Sequence, residues 1–144
     1  MRLRAEDADD LAVISAVVQD ALISVKDLTY DSTARRFTLV ANRFRWEAQP
    51  AGANGEPAFE RTFCAVTFDA VEGATYRGFR RRDEERILVL LAIRASGVPG
   101  TVELEFSGGA TLRLRTSVIN VYATDIGEAW PTAWQPGHSA SDAP

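Results

Sequence analysis

Between residues 7 and 22 the apolar positions recur every three to four residues; beyond that they mostly alternate. Leu11, Ile14, Val18 and Leu22 form the first stripe, widened by Val17, and this spacing predicts one amphipathic helix over residues 7–21. Asp7 or Asp9 can cap its start. Glu6, Asp7, Asp9 and Asp10 sit near the positive end of the helix macrodipole. Val13 and Ala21 leave little of the helix surface fully polar, so it is expected to lie flat on a sheet or on a partner.

After the helix the period is two. Residues 22–30 and 35–46 read as strands around a turn at Asp31-Ser32-Thr33. Phe37, Leu39 and Ala41 share one face, whereas Phe44 and Trp46 have the opposite parity, so a bulge or bend is expected near Asn42. Residues 48–58 hold two prolines, two glycines and no large apolar side chain, and read as a loop. Strands near 60–70 and 73–80 follow, with Gly73 at their turn. A charged connection over 80–86 leads into Ile87–Ile93, whose unbroken apolar run is expected to be a central strand covered on both faces.

Val102, Leu104 and Phe106 alternate with Glu103 and Glu105, and Leu112 and Leu114 alternate with Arg113 and Arg115. A three-residue loop at Gly108-Gly109-Ala110 gathers every apolar residue on one face and pairs Glu105 with Arg113 and Glu103 with Arg115. Residues 117–127 fit two patterns: Ile119, Val121 and Ala123 suit a strand, while Val118, Tyr122 and Ile126 suit a helix ended by Gly127. Residues 128–144 read as a partly disordered tail. The expected fold is therefore α+β and mainly antiparallel: an N-terminal helix, then about seven strands in successive hairpins. These would form one domain over 1–127, as a roll or partly open barrel. A pleckstrin-homology-like roll is a candidate chiefly if 117–127 is helical.

Composition narrows the function classes. The chain has 144 residues, enough for one ordinary core. No apolar run approaches the ~20 residues that cross a bilayer, and the first seven residues turn acidic where an export signal needs an apolar stretch. Cys64 is the only cysteine, so no intramolecular disulfide forms. These features lead to the expectation of a cytoplasmic protein without a membrane partner. The formal charge of -4 disfavours nucleic acid as a partner.

Chemistry-bearing groups are sparse. His138, the only histidine, lies in the weak tail, so neither Ser–His–Asp nor Cys–His chemistry has a positioned base. One cysteine and one histidine do not make a zinc site, and no metal or cofactor is expected. Cys64 lies within an apolar strand and reads as a small buried hydrophobe. Ser107-Gly108-Gly109-Ala110 joins two strands and lacks a following Lys-Ser/Thr, so it reads as a turn rather than a phosphate loop. Glu103 and Glu105, about 7 Å apart by strand geometry, could mimic a glycosidase pair. Arg113 and Arg115 opposite them would keep both ionised.

Two arginine-rich segments remain. In Asn42–Glu47, alternation puts Arg43 and Arg45 on the face opposite Phe44 and Trp46, so Arg43, Arg45 and Trp46 form a candidate anion-binding set. The competing reading is a solvated outer face backed by a core face carrying Phe44 and Trp46. Arg77, Arg80, Arg81, Arg82 and Arg86 could meet RNA or an acidic protein, but Asp83, Glu84 and Glu85 neutralise them in place and favour a solvated loop.

The segments Ala34–Leu39, Asn42–Glu47, Leu90–Arg94 and Val102–Gly109, with the helix Asp10–Ala21, resemble a bacterial domain-of-unknown-function family. That family occurs mainly in alphaproteobacteria, often encoded beside histidinol dehydrogenase. The resemblance covers roughly residues 3 to 130. It carries no established activity and transfers no catalytic residue; the neighbourhood implies a housekeeping role and no histidine chemistry. Three functions follow, in order of preference: a non-catalytic module that binds another protein or forms a homodimer, a binder of a small anionic ligand, and an enzyme using carboxylates and arginines.

Overall fold

The computed structural model describes residues 1–47, 59–132 and 136. Its chain order is β1 (Arg2–Ala5), α1 (Ala8–Val17), β2 (Leu22–Ser24), a 3-10 turn (Val25–Asp27), β3 (Thr29–Asp31), β4 (Arg36–Phe44), β5 (Phe59–Phe68), β6 (Val71–Arg77), β7 (Ile87–Ala95), β8 (Thr101–Phe106), β9 (Thr111–Thr116) and β10 (Val121–Thr132). The fold is mainly antiparallel β with one N-terminal helix. The ten strands form one sheet in the order β1-β10-β5-β4-β2-β7-β8-β9-β6, with β3 paired to β4. The sheet curls without closing. Its edge strand β6 is tethered to the β3–β4 turn by hydrogen bonds from the Tyr30 hydroxyl to the Val71 carbonyl (2.8 Å) and from the Val71 N–H to the Arg35 carbonyl (2.8 Å).

Asp7 caps α1, its carboxylate accepting the Asp10 N–H at 2.8 Å. Leu11, Ile14 and Val18 are buried as the stripe requires. Leu22, however, begins β2. The helix packs between β1 and β7 and fills a gap that β2 is too short to cover. There the Ser15 Oγ accepts the Ile93 N–H at 2.8 Å. The turn after the helix completes the substitution, the Leu90 N–H bonding the Ala21 carbonyl and the Asp20 N–H bonding the Leu90 carbonyl. A helix thus satisfies a stretch of strand backbone that has no neighbouring strand on that side.

Several sequence expectations change. The strand expected over 22–30 is broken by the 3-10 turn into β2 and β3. Gly73 lies inside β6 at a register shift, and the β5–β6 turn is at Asp69-Ala70. Strand β7 is central, yet Ile87 and Leu91 on its outer face are exposed, because among the described residues no layer covers them. Residues 121–132 are strand, so the condition attached to a pleckstrin-homology-like roll is not met. β10 runs five residues past 127 because Trp130, Pro131 and Thr132 pair with Arg61, Glu60 and Phe59. His138 and the loop expected over 48–58 lie outside the described residues.

The β8–β9 hairpin has the expected faces in a different register. Glu103 pairs with Arg113, Leu104 with Leu112 and Glu105 with Thr111, so the three-residue loop is Ser107-Gly108-Gly109. Both glycines have positive φ (75° and 81°), whereas Ala110 is extended and buried opposite Phe106. The expected loop would have placed Ala110 at its last position, where a left-handed conformation favours glycine. The slip is two in register, which preserves the faces and changes the ion pairs. Arg94 of β7 and Arg113 bridge Glu103, Arg94 also bridges Glu105, and Arg115 turns away to the Glu72 carbonyl.

Candidate functional site

The expected bulge near Asn42 is absent. β4 pairs with β5 without a register shift from Phe37↔Phe68 to Phe44↔Arg61. Unbroken alternation therefore places Phe37, Leu39, Ala41 and Arg43 on one face, and that face is the core. Arg43 has 0% exposure and is the largest fully buried side chain among the described residues. Phe44 is buried on the other face, beside Trp46 (ring centroids 4.7 Å) and Phe59 (5.5 Å). The two faces are thus the reverse of the solvated-arginine arrangement.

All five guanidinium N–H donors of Arg43 are used. Nε and Nη2 donate to the Asp125 carboxylate at 2.8 and 2.7 Å. Nη1 and Nη2 donate to the Glu47 carboxylate at 3.0 and 2.7 Å, and Nη1 also reaches the Phe44 carbonyl at 3.2 Å. The chain of charges continues outward: the Met1 amino group lies 3.3 Å from Asp125, and Arg45 pairs with Glu60 at 3.2 Å. Asp125 and Glu47 were not singled out from the sequence. The available signal was the core parity of Arg43, since burying a guanidinium is costly unless carboxylates compensate it.

Electrostatics fixes the protonation states of this cluster. Burial acts to lower the Arg43 pKa, but the hydrogen bonds to Asp125 and Glu47 outweigh it and raise it. The Arg43 hydrogen bond holds the Glu47 carboxyl down to about 2, against a weaker upward push from burial. Burial pushes the Asp125 carboxyl up, and Arg43 overrides that to leave it below its ordinary value. Cys64 is buried, and burial first, then the Asp125 charge, push its thiol up to about 11. No proton on these groups is poised to move near neutral pH, as general acid–base chemistry requires. Among the described residues, no three His, Cys, Asp or Glu side chains are grouped to hold a metal ion.

Arg45 and Trp46 serve a different feature. With Glu47 they line one end of a groove of ≈ 610 Å³ whose remaining walls are Met1, Leu3, Val13, Ala16 and Val17. The groove is apolar along α1 and β1 and charged only at its Arg45–Glu47 end. Val13 is 53% exposed and Trp46 38%.

The second arginine cluster is also rearranged. None of Arg77, Arg80, Arg81, Arg82 or Arg86 forms an ion pair among the described residues, so Asp83, Glu84 and Glu85 do not neutralise it by contact. Asp83 instead accepts the Arg80 N–H, Arg86 donates to the Gly78 carbonyl, and Arg81 lies over the Tyr76 ring. Residues 80–85 are exposed.

The model of a family of proteins of unknown function, DUF2948, matches residues 1–138. The chain belongs to the DUF2948 family. No curated protein and no solved structure matches it. For this DUF2948 domain the geometry above is what bears on function. No described helix is long and apolar enough to cross a membrane.

Proposed function

We propose that this domain is a non-catalytic interaction module that receives an apolar segment of a partner protein in the groove between α1, β1 and the Arg45–Glu47 turn. The observation that carries the reading is the groove itself: ≈ 610 Å³, walled by Met1, Leu3, Val13, Ala16, Val17 and Trp46, with polar side chains at one end only. A helix that served only to cover a core would turn a polar face outward. This one leaves Val13 largely exposed beside Trp46, and water gains by their burial against a partner. The locked protonation states of the neighbouring cluster support a non-catalytic role. A buried thiol with no second cysteine suits a reducing compartment, and we infer a cytoplasmic location.

A small anionic ligand held by Arg43 has less support, since every donor of that side chain is already bonded. The test is capture of native partners by wild type, by Val13→Asp and by Trp46→Ala, with folding checked by circular dichroism and self-association by sedimentation. Partners captured by wild type and lost from the folded Val13→Asp protein are the expected result. Equal capture by all three retires the groove.

A further inference from the structure

Arg61 of β5 forms no ion pair among the described residues, but it is closed to ligands. Its Nε and Nη2 donate to the Asn42 side-chain oxygen and carbonyl at 2.7 and 2.9 Å, and its Nη1 is buried without a partner. Arg77 of β6 is the opposite case. It is exposed, and among the described residues its side chain makes no hydrogen bond or ion pair.

Strands β6, β9, β8 and β7 lie side by side, and two rows of cross-strand partners run over their outer face. One row is Thr75, Arg113, Glu103 and Arg94; the next is Arg77, Thr111, Glu105 and Ala92. Leu112 and Leu114, of the other parity, are buried, so the two rows face solvent. Partners within a row stand about 5 Å apart, and the rows about 7 Å. Three arginines here face two glutamates. Arg94 and Arg113 hold Glu103, and Arg94 also holds Glu105, so Arg77 is the charge left over.

Thr75, Arg77, Glu103, Thr111 and Arg113 line a cavity of ≈ 290 Å³. A space of about 150 Å³ suffices for a benzene ring, so this one takes a small metabolite. Arg113 spends only Nη2 on Glu103, at 3.1 Å, and neither threonine hydroxyl is bonded among the described residues. Donors therefore converge from four corners: two guanidinium groups on one diagonal and two hydroxyls on the other. A planar carboxylate is satisfied by one guanidinium fork, whereas a phosphoryl group offers three acceptor oxygens and nearly two negative charges. Glu103 is the one lining side chain that only accepts, which suits a ligand hydroxyl. All five lining residues are polar, so an acyl chain would find no apolar wall.

We propose that this cavity binds a small hydroxylated phosphate monoester of the sugar-phosphate class. Arg77, Arg113, Thr75 and Thr111 hold the phosphoryl group, and Glu103 accepts a hydroxyl. The site is separate from the α1 groove and does not depend on the interaction reading.

The experiment titrates ribose 5-phosphate into wild type, Arg77→Gln, Thr111→Val and Arg82→Gln by calorimetry, with thermal melts of each protein. Ribose, inorganic phosphate and phosphatidic-acid vesicles are the comparison probes. Wild type should bind ribose 5-phosphate saturably. Arg77→Gln should bind it at least about tenfold more weakly and melt within about 1 °C of wild type, since its side chain supports no other group. Thr111→Val should weaken binding at least about threefold. Arg82 is exposed and outside the cavity, so Arg82→Gln should stay within about twofold. Ribose should not bind, inorganic phosphate should bind at least about threefold more weakly, and the vesicles should not sediment the protein. Absence of saturable binding, equal losses in Arg77→Gln and Arg82→Gln, inorganic phosphate binding as tightly as ribose 5-phosphate, or capture by the vesicles would each overturn the proposal.

Discussion

Arg43 and Arg61 are the two arginines that the described fold buries, and their electrostatic situations are opposite. Arg43 sits between two carboxylates with every donor bonded, so removing it strands Asp125 and Glu47. Arg43→Met is expected to cost about 3 kcal/mol in urea unfolding, and much of that should return when Asp125→Asn and Glu47→Gln are added. The same cluster gives a pH dependence of known sign. Both carboxyls bind protons more weakly in the folded chain than in the unfolded one, so below about pH 5 the unfolded state takes up more protons and stability falls. The stabilisation is complete above that pH and declines as pH drops toward the folded Glu47 value of about 2. Midpoints of urea unfolding from pH 7 to pH 2 should show this decline in wild type, and a shallower one in Arg43→Met. The parity that buries Arg43 was legible in the sequence. Which side of β4 faces the core was not, because Phe44 and Trp46 made the other side look equally apolar.

At the scale of elements, local chemistry decided what could be read. The helix stripe and the Asp7 cap follow from residue spacing, and both are present. The β8–β9 hairpin kept its faces because slipping by two residues moves no apolar side chain outward; the loop position was then selected by the two glycines. Gly109→Ala is accordingly expected to lose about 1–2 kcal/mol, through its φ of 81° alone, since nothing lies within 4 Å of the added carbon. Gly97 has the same open space without positive φ, so Gly97→Ala should change stability by less than about 0.5 kcal/mol. Differential scanning calorimetry of the two variants separates conformational strain from crowding. The apolar run of β7 was misleading for a related reason: an unbroken run signals burial on both faces only where a second layer exists, and here α1 covers one side of the sheet.

Over the whole molecule, the surface that the interaction reading uses is the α1 groove, built from the helix, β1 and the turn after β4. Its walls come from segments far apart in the sequence, so it exists only in the folded chain. Val13 is largely exposed, so Val13→Asp should abolish partner capture while changing the free energy of urea unfolding by less than about 0.5 kcal/mol. Loss of stability in step with loss of capture would mean that Val13 supports the fold rather than a partner.

Spacing and parity along the chain were enough to determine the helix with its cap, the antiparallel class of the sheet, the paired faces of the β8–β9 hairpin and the scarcity of catalytic groups. Each is set by neighbours within a few residues. The tertiary structure alone decided which face of β4 meets the core, that a serine on α1 completes the bonding of β7, and that Arg43 finds two carboxylates while Arg61 finds none. Those outcomes depend on partners far apart in sequence, such as Asp125 for Arg43 and Ser15 for Ile93. The interaction energy of a buried charge or backbone group is fixed by what the fold brings within hydrogen-bond distance, and sequence spacing carries no record of that distance.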